Sequence, residues 1–203
     1  MTRQLLLVDH QPFDYQYLKY LLKDYRYPRN KIGKLLRNGE IVAIKSGLYV
    51  LSGIFGKKPL PEQVANLLYG PSYVSLDYAL SRYGLIPERV FSITSVCIGR
   101  RKAFDTAVGY FSYLQMKPEY YSLAYVRHVT TEGSYLIATP EKALCDRLYY
   151  GPAFSDITAL KQYLFYDMRV DEMIFSRLDA ALISRLAEAS GKRSIRLLAE
   201  LLK

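Results

Sequence analysis

The segment LKYLLKDYRYPRNKIGKLLRNGEIVAIKSGLYVLSG, residues 18–53, decides the fold of the N-terminal part of this chain. It predicts a helix, a turn, a short basic helix and a two-stranded hairpin, in that order. This order is typical of a winged helix-turn-helix, a fold that places its second helix in the major groove of DNA.

The first of these helices is indicated by apolar side chains that recur at helical spacing. They are Tyr15, Leu18, Leu22 and Tyr25. Pro28 ends this helix or the turn after it, because proline disfavours helix in the residue before it. Residues 2–11 are short for the additional helix that a winged helix normally has at its start, so they predict a strand or a single helical turn.

The second helix is predicted over Arg29–Asn38, with Gly39 as its left-handed stop. Ile32, Leu35 and Leu36 fall on one face, which must dock on the first helix because so short a helix is unstable alone in water. The opposite face, within about 120° at the helical repeat, is polar and cationic. It holds Asn30, Lys31, Lys34 and Arg37.

The hairpin follows at once, with EIVAI and LYVL as strands and KSG as the turn. Gly47 supplies the positive φ that a tight turn needs, and Lys45 and Ser46 stand at the tip, where a wing meets phosphate or the minor groove. The helix and the tip together give the candidate DNA-binding residues. They are Arg29, Asn30, Lys31, Lys34, Arg37, Asn38, Lys45 and Ser46.

The distribution of charge supports this interpretation. The chain carries a net charge of +9, and residues 1–60 hold 11 Lys and Arg against 4 Asp and Glu. Residues 61–203 hold 17 against 15. Residues 1–60, less than a third of the chain, therefore carry +7 of the net charge of +9, as expected for a nucleic-acid-binding module joined to a second domain.

The rest of the chain predicts a second domain. GIFGKKPLP, residues 53–61, is the best linker, so we assign a winged helix-turn-helix to residues 1–55 and a C-terminal domain to residues 56–203. About four strands are predicted there, in VFSITSVCIG, VGYFSYLQM, LAYVRHVT and YLIA, with RRKAFD as a basic loop between the first two. Helices flank them and form the tail. The predicted fold class is therefore α+β, with a mixed α/β C-terminal domain.

Several classes of function find no support in the sequence. The two cysteines, Cys97 and Cys145, lie in apolar stretches and indicate buried reduced thiols, and the two histidines are far apart. No apolar run is long enough to span a bilayer or to form a secretory signal, which predicts a cytoplasmic protein. PEK at residues 140–142 misses the spacing of a metal-dependent nuclease. We therefore predict no catalytic residue, no metal and no cofactor.

The motifs resemble those of the AbiEi family of antitoxins. The matching segments are KLLRNGEIVAIKSGLYVL, PSYVSLDYALSRYGLIPE, ITSVCIGRRK and YLIATPEKALCDRLYY, in the family's order over roughly residues 15–150. The resemblance implies a winged helix that represses the promoter of its own type IV toxin–antitoxin operon, with a recognition helix at Arg29–Asn38 and a wing at Ile41–Leu51. It also implies a C-terminal domain that counteracts a nucleotidyltransferase-type toxin in phage defence, with or without direct contact.

Two other classes remain as alternatives. One is a nucleic-acid-processing enzyme delivered by the winged helix, which predicts metal-dependent turnover. The other is a non-catalytic interaction module whose basic part binds an acidic protein or an anionic membrane, which predicts no preference for DNA. Glu141, Asp146 and Arg147 are the candidate polar cluster of the C-terminal domain, although a capped helix with surface charges explains them better.

Overall fold

The computed structural model describes Val8, residues 11–53 and residues 58–203. These residues form an α+β fold with a three-stranded and a six-stranded sheet. The α+β fold class predicted from the sequence is confirmed. The predicted linker lies partly outside the described residues, as does most of the segment 2–11.

The N-terminal unit, defined here as residues 11–53, contains the smaller sheet and two helices. Its elements are β1 Phe13–Asp14, α1 Tyr15–Leu21, α2 Pro28–Arg37, β2 Ile41–Lys45 and β3 Leu48–Leu51. The strands are antiparallel in the order β1-β3-β2, so the short strand before α1 pairs with the second strand of the hairpin.

Local sequence signals explain the ends of these elements. The Asp14 carboxylate caps α1 by accepting a 2.7 Å hydrogen bond from the backbone N–H of Tyr17. Pro28 starts α2, where its missing N–H costs nothing. Gly39 follows α2 with φ of +65°, and Gly47 turns the hairpin with φ of +81°. Both glycines therefore have the conformation that the sequence predicts.

The C-terminal part holds the larger sheet and the other helices. Its elements are α3 Pro61–Leu68, β4 Ser72–Val74, α4 Leu76–Arg82, β5 Ile93–Cys97, β6 Lys102–Thr106, β7 Gly109–Gln115, α5 Pro118–Tyr121, β8 Tyr125–Thr130, β9 Gly133–Ala138, α6 Pro140–Tyr149, α7 Ile157–Gln162, α8 Glu172–Phe175, α9 Ala180–Ser190 and α10 Arg193–Leu201. A π-helical turn over Tyr163–Asp167 continues α7. The strand order is β6-β7-β5-β4-β9-β8.

The prediction of about four strands in this part is wrong, because the sheet has six. The sequence missed β4, a three-residue strand that lies between β5 and β9. It also assigned RRKAFD to a loop, whereas Lys102–Thr106 forms the edge strand β6. None of the five residues of β6 is buried, so its sequence lacks the buried apolar positions that mark a strand.

The hairpin of β2 and β3 belongs to two hydrophobic cores. Ile41, Tyr49 and Leu51 pack with α1 and α2 in the N-terminal core. Three other buried hairpin residues join the large C-terminal core. They are Ile44, Leu48 and Val50. All four residues of β3 are buried, so the hairpin lies between the two parts of the chain.

Candidate nucleic-acid interface

Helix α2 presents a polar and cationic face to solvent. Ile32 and Leu35 are buried, so the opposite side of the helix faces solvent. Four of the predicted contact residues on α2 are exposed. They are Arg29, Asn30, Lys34 and Arg37. The structure therefore brings these side chains to one surface, as the helical spacing predicts.

The N-terminal end of α2 is also free of negative charge. Its first turn contains no acidic residue, and its N-cap residue, Tyr27, makes no side-chain capping hydrogen bond. The N–H groups at the start of a helix carry partial positive charge and suit an anion such as phosphate. Arg29, in the same turn, adds a full positive charge to this end of the helix.

Lys31 lies at the flank of the face and is half-buried. Its ammonium nitrogen is 5.3 Å from the centre of the Tyr25 ring. The sequence assigned Tyr25 to the apolar side of α1, but α1 ends at Leu21 and Tyr25 is 37% exposed. A cation over an aromatic face is attracted by the ring, so Tyr25 holds Lys31 beside the exposed face.

Aromatic rings accompany the cations along the turn between the two helices. The guanidinium of Arg26 lies 5.3 Å from the centre of the Tyr27 ring, and the ammonium of Lys23 lies 5.0 Å from that of Tyr20. The sequence signal for this arrangement, beyond the helical spacing, is the alternation of tyrosine with basic residues in KYLLKDYRYPRNK.

Two residues near the end of α2 differ from the sequence-based prediction in their exposure or their contacts. Leu36 was placed on the buried face, but it lies at the edge of that face and is 36% exposed. Asn38 is exposed at the C-cap, and its side-chain amide donates a 3.3 Å hydrogen bond to a carboxylate oxygen of Glu40. Asn38 thus helps to join α2 to the hairpin.

The predicted wing tip is held against the C-terminal part of the chain. Lys45 and Ser46 are exposed, but the ammonium of Lys45 donates hydrogen bonds to the backbone carbonyls of Leu67, at 3.2 Å, and Leu68, at 2.6 Å. These carbonyls end α3, where the helix dipole is negative. Lys45 therefore caps α3, a contact that the sequence could not reveal.

Gly33 lies in the middle of α2, next to the cationic face. A Cβ atom built at this position would meet no atom within 4 Å apart from the adjacent residues and the backbone of α2 itself. Packing inside the chain therefore gives no reason for a glycine, although glycine costs a helix about 1 kcal/mol relative to alanine. A missing side chain lets another molecule approach the helix backbone closely.

The three polar residues singled out in the C-terminal part do not form one cluster. The Arg147 guanidinium pairs with Asp77 at 2.8 Å, and Glu141 accepts a 3.2 Å hydrogen bond from the backbone N–H of Asp179. Asp146 is fully buried, not a surface charge, and pairs with Lys142 at 3.2 Å.

The buried pair is held by hydroxyl and carbonyl groups. Ser75 and Tyr73 donate hydrogen bonds of 2.6 and 3.1 Å to one carboxylate oxygen of Asp146, and Lys142 donates one of 2.8 Å to the carbonyl of Tyr120. Burial raises the pKa of Asp146 and lowers that of Lys142, and the attraction between the two opposes both shifts. This pair is closed off inside the fold, so we assign it to structure.

Within the residues that the structure describes, no group of three or more His, Cys, Asp or Glu side chains is arranged to hold a metal ion. Both cysteines are buried and free, as predicted. None of the helices described is both long and apolar enough to cross a membrane. A search against protein-family models finds no match to this chain, and a search of curated protein sequences finds none either.

Proposed function

We propose that this chain is a DNA-binding transcriptional regulator whose residues 11–53 act as a winged helix. In this proposal α2 is the recognition helix, and the hairpin of β2 and β3 is a short wing. The exposed face of α2, with Arg29, Lys34 and Arg37 opposite a buried apolar side, is the observation that carries the proposal. The order of helices and hairpin and the uncapped start of α2 support it.

The side chains on this face differ in what they can recognise. Arg37 and Asn30 have planar groups that can bond two atoms of a base edge at once, whereas Lys34 suits phosphate as a point charge. Arg37 and Asn30 are therefore the proposed base-reading residues. Lys34 is a proposed phosphate contact, and so is Arg29 at the start of the helix.

The resemblance to AbiEi antitoxins makes the proposal more specific. On that basis the chain represses the promoter of its own operon in the cytoplasm and counteracts a nucleotidyltransferase-type toxin encoded beside it. Growth of cells that express the neighbouring gene, with and without this chain, tests the antitoxin role. Unrelieved toxicity in the presence of the chain would remove that role without affecting DNA binding.

DNA binding is tested by titration on two duplexes, one from the region upstream of the gene and one of scrambled sequence. Arg37→Ala is expected to cost roughly 1–3 kcal/mol on the upstream duplex and little on the scrambled one. Lys34→Ala is expected to weaken binding to both about equally. Arg185→Ala is the matched control, because Arg185 is an exposed arginine on α9.

The salt dependence gives an independent measure. If about four to six cations contact phosphates, the logarithm of the affinity falls with that of the salt concentration, with a slope near −0.9 per phosphate. A slope near zero for the unaltered chain would refute the role of α2 as the recognition helix. Unchanged affinity for Arg37→Ala and Lys34→Ala, in proteins that remain folded, would refute it as well.

A further inference from the structure

A second basic surface lies in the C-terminal part, where β5 leads into β6. Arg100, Arg101 and Lys102 are consecutive and exposed. Among the residues that the structure describes, the guanidinium groups of Arg100 and Arg101 have no ion-pair or hydrogen-bond partner. These two groups are therefore available to an anion from outside the chain.

The position of this loop is fixed by Tyr69, the residue that follows α3. The Tyr69 hydroxyl donates a 3.2 Å hydrogen bond to the backbone carbonyl of Arg100, and the Lys102 ammonium lies 5.4 Å from the centre of the Tyr69 ring. A Cβ atom at Gly99 would come within 2.5 Å of the same hydroxyl. The loop therefore approaches Tyr69 as closely as a glycine permits.

The same helix end connects the loop to the hairpin turn. Lys45 donates hydrogen bonds to the carbonyls of Leu67 and Leu68, directly before Tyr69. The hairpin turn and the loop at residues 99–102 thus both contact the end of α3. Lys45 also places a positive charge at the negative end of the α3 dipole, next to Tyr69.

We propose that Arg100 and Arg101 bind the DNA backbone and extend the footprint of the N-terminal unit beyond the hairpin. This inference rests on the proposed DNA binding and adds a second contact surface to it. The ligand group is a backbone phosphate, which a guanidinium can hold with two parallel hydrogen bonds. Such contacts carry no sequence information, so they strengthen binding to any duplex that is long enough.

The test compares three proteins: the unaltered chain, Arg100→Ala with Arg101→Ala, and Arg177→Ala with Arg185→Ala. The last pair removes the same charge from exposed positions outside the loop, Arg177 before α9 and Arg185 on α9. Affinity for the upstream duplex is measured over a range of salt concentrations, and backbone protection is mapped by hydroxyl-radical footprinting. A melting curve for each protein checks that it is folded.

Loss of two phosphate contacts is expected to reduce the salt slope by about 1.8 and the affinity by roughly ten-fold or more. Protection at one end of the footprint should disappear while the rest remains, and the control pair should match the unaltered chain.

An unchanged slope and footprint for the loop variant would overturn the inference while leaving the role of α2 intact. Equal losses in the loop variant and the control pair would also overturn it, since they would indicate a general effect of net charge. No salt-dependent binding by the unaltered chain would overturn the proposed function itself, and this inference with it.

Discussion

At Gly33, a substitution is expected to affect folding stability and DNA binding in opposite directions. A Cβ atom there would meet nothing within 4 Å apart from the adjacent residues and the α2 backbone, so Gly33→Ala is expected to stabilise the folded chain by roughly 0.5–1 kcal/mol through helix propensity. If DNA approaches α2 closely at this point, the same methyl group weakens binding. The melting temperature and the affinity for the upstream duplex are the two measurements.

Opposite signs for these two effects would be informative, because a loss of folded protein cannot explain weaker binding by a more stable variant. Equal or tighter DNA binding by Gly33→Ala would show that DNA does not approach this part of the helix closely.

The buried pair of Lys142 and Asp146 gives a second prediction at the residue scale. Lys142→Met leaves a carboxylate buried without its counter-ion, which is expected to cost roughly 3–5 kcal/mol. Adding Asp146→Asn should recover much of this loss, because an amide oxygen still accepts from the Ser75 hydroxyl but carries no charge. Urea unfolding of both single variants and the double variant measures the coupling.

The pH dependence of Lys142→Met follows from the direction of the pKa shift. Burial already raises the pKa of Asp146, and removal of the lysine removes the attraction that lowers it. The folded state then holds a proton that the unfolded state releases, so the contribution of Asp146 to stability is greatest at acid pH and falls as pH rises through the folded-state pKa. The loss of stability relative to the unaltered chain should therefore grow as pH rises, and a loss that shrank over this range would contradict the assignment.

At the scale of elements, the end of α3 depends on a side chain from the hairpin. Lys45→Met removes two hydrogen bonds to the last carbonyls of α3 and is expected to cost roughly 0.5–1 kcal/mol. Lys117→Met is a suitable control, because Lys117 is an exposed lysine that precedes α5. Chemical denaturation without DNA measures both variants, and equal effects would mean that the cap contributes nothing.

The elements that the sequence predicts well are those with local signals. Helix α2 with Gly39 after it and the hairpin with Gly47 are each encoded by a few adjacent residues. Strand β4 is three residues long and exists because β5 and β9, distant in sequence, lie on either side of it. No local pattern contains that information.

The candidate interface was predictable to a similar extent. Periodicity correctly places Asn30, Lys34 and Arg37 on the exposed side of α2. The partners of Lys45 and Lys142 could not be predicted in the same way. Lys45 donates hydrogen bonds to carbonyls more than twenty positions away. The buried Lys142 ammonium donates a hydrogen bond to the carbonyl of Tyr120 and pairs with Asp146.

For the molecule as a whole, the shared hairpin predicts that the two parts of the chain unfold together. Val50 packs in the C-terminal core while its neighbours Tyr49 and Leu51 pack in the N-terminal core. Opening either core therefore exposes apolar surface of the same strand, at about 25 cal/mol for each Å² exposed. Equilibrium unfolding should be a single transition.

The chain contains no tryptophan, so a single introduced tryptophan reports on one part alone. Tyr27→Trp and Tyr166→Trp suit this purpose, because these rings are 60% and 79% exposed in the N-terminal and C-terminal parts. Both reporters are expected to show the same urea midpoint. Val50→Ala, at a site that is 1% exposed, should lower both midpoints equally. Two separate midpoints, or a shift in only one of them, would mean that the hairpin does not couple the two cores and that residues 1–55 fold as an independent domain.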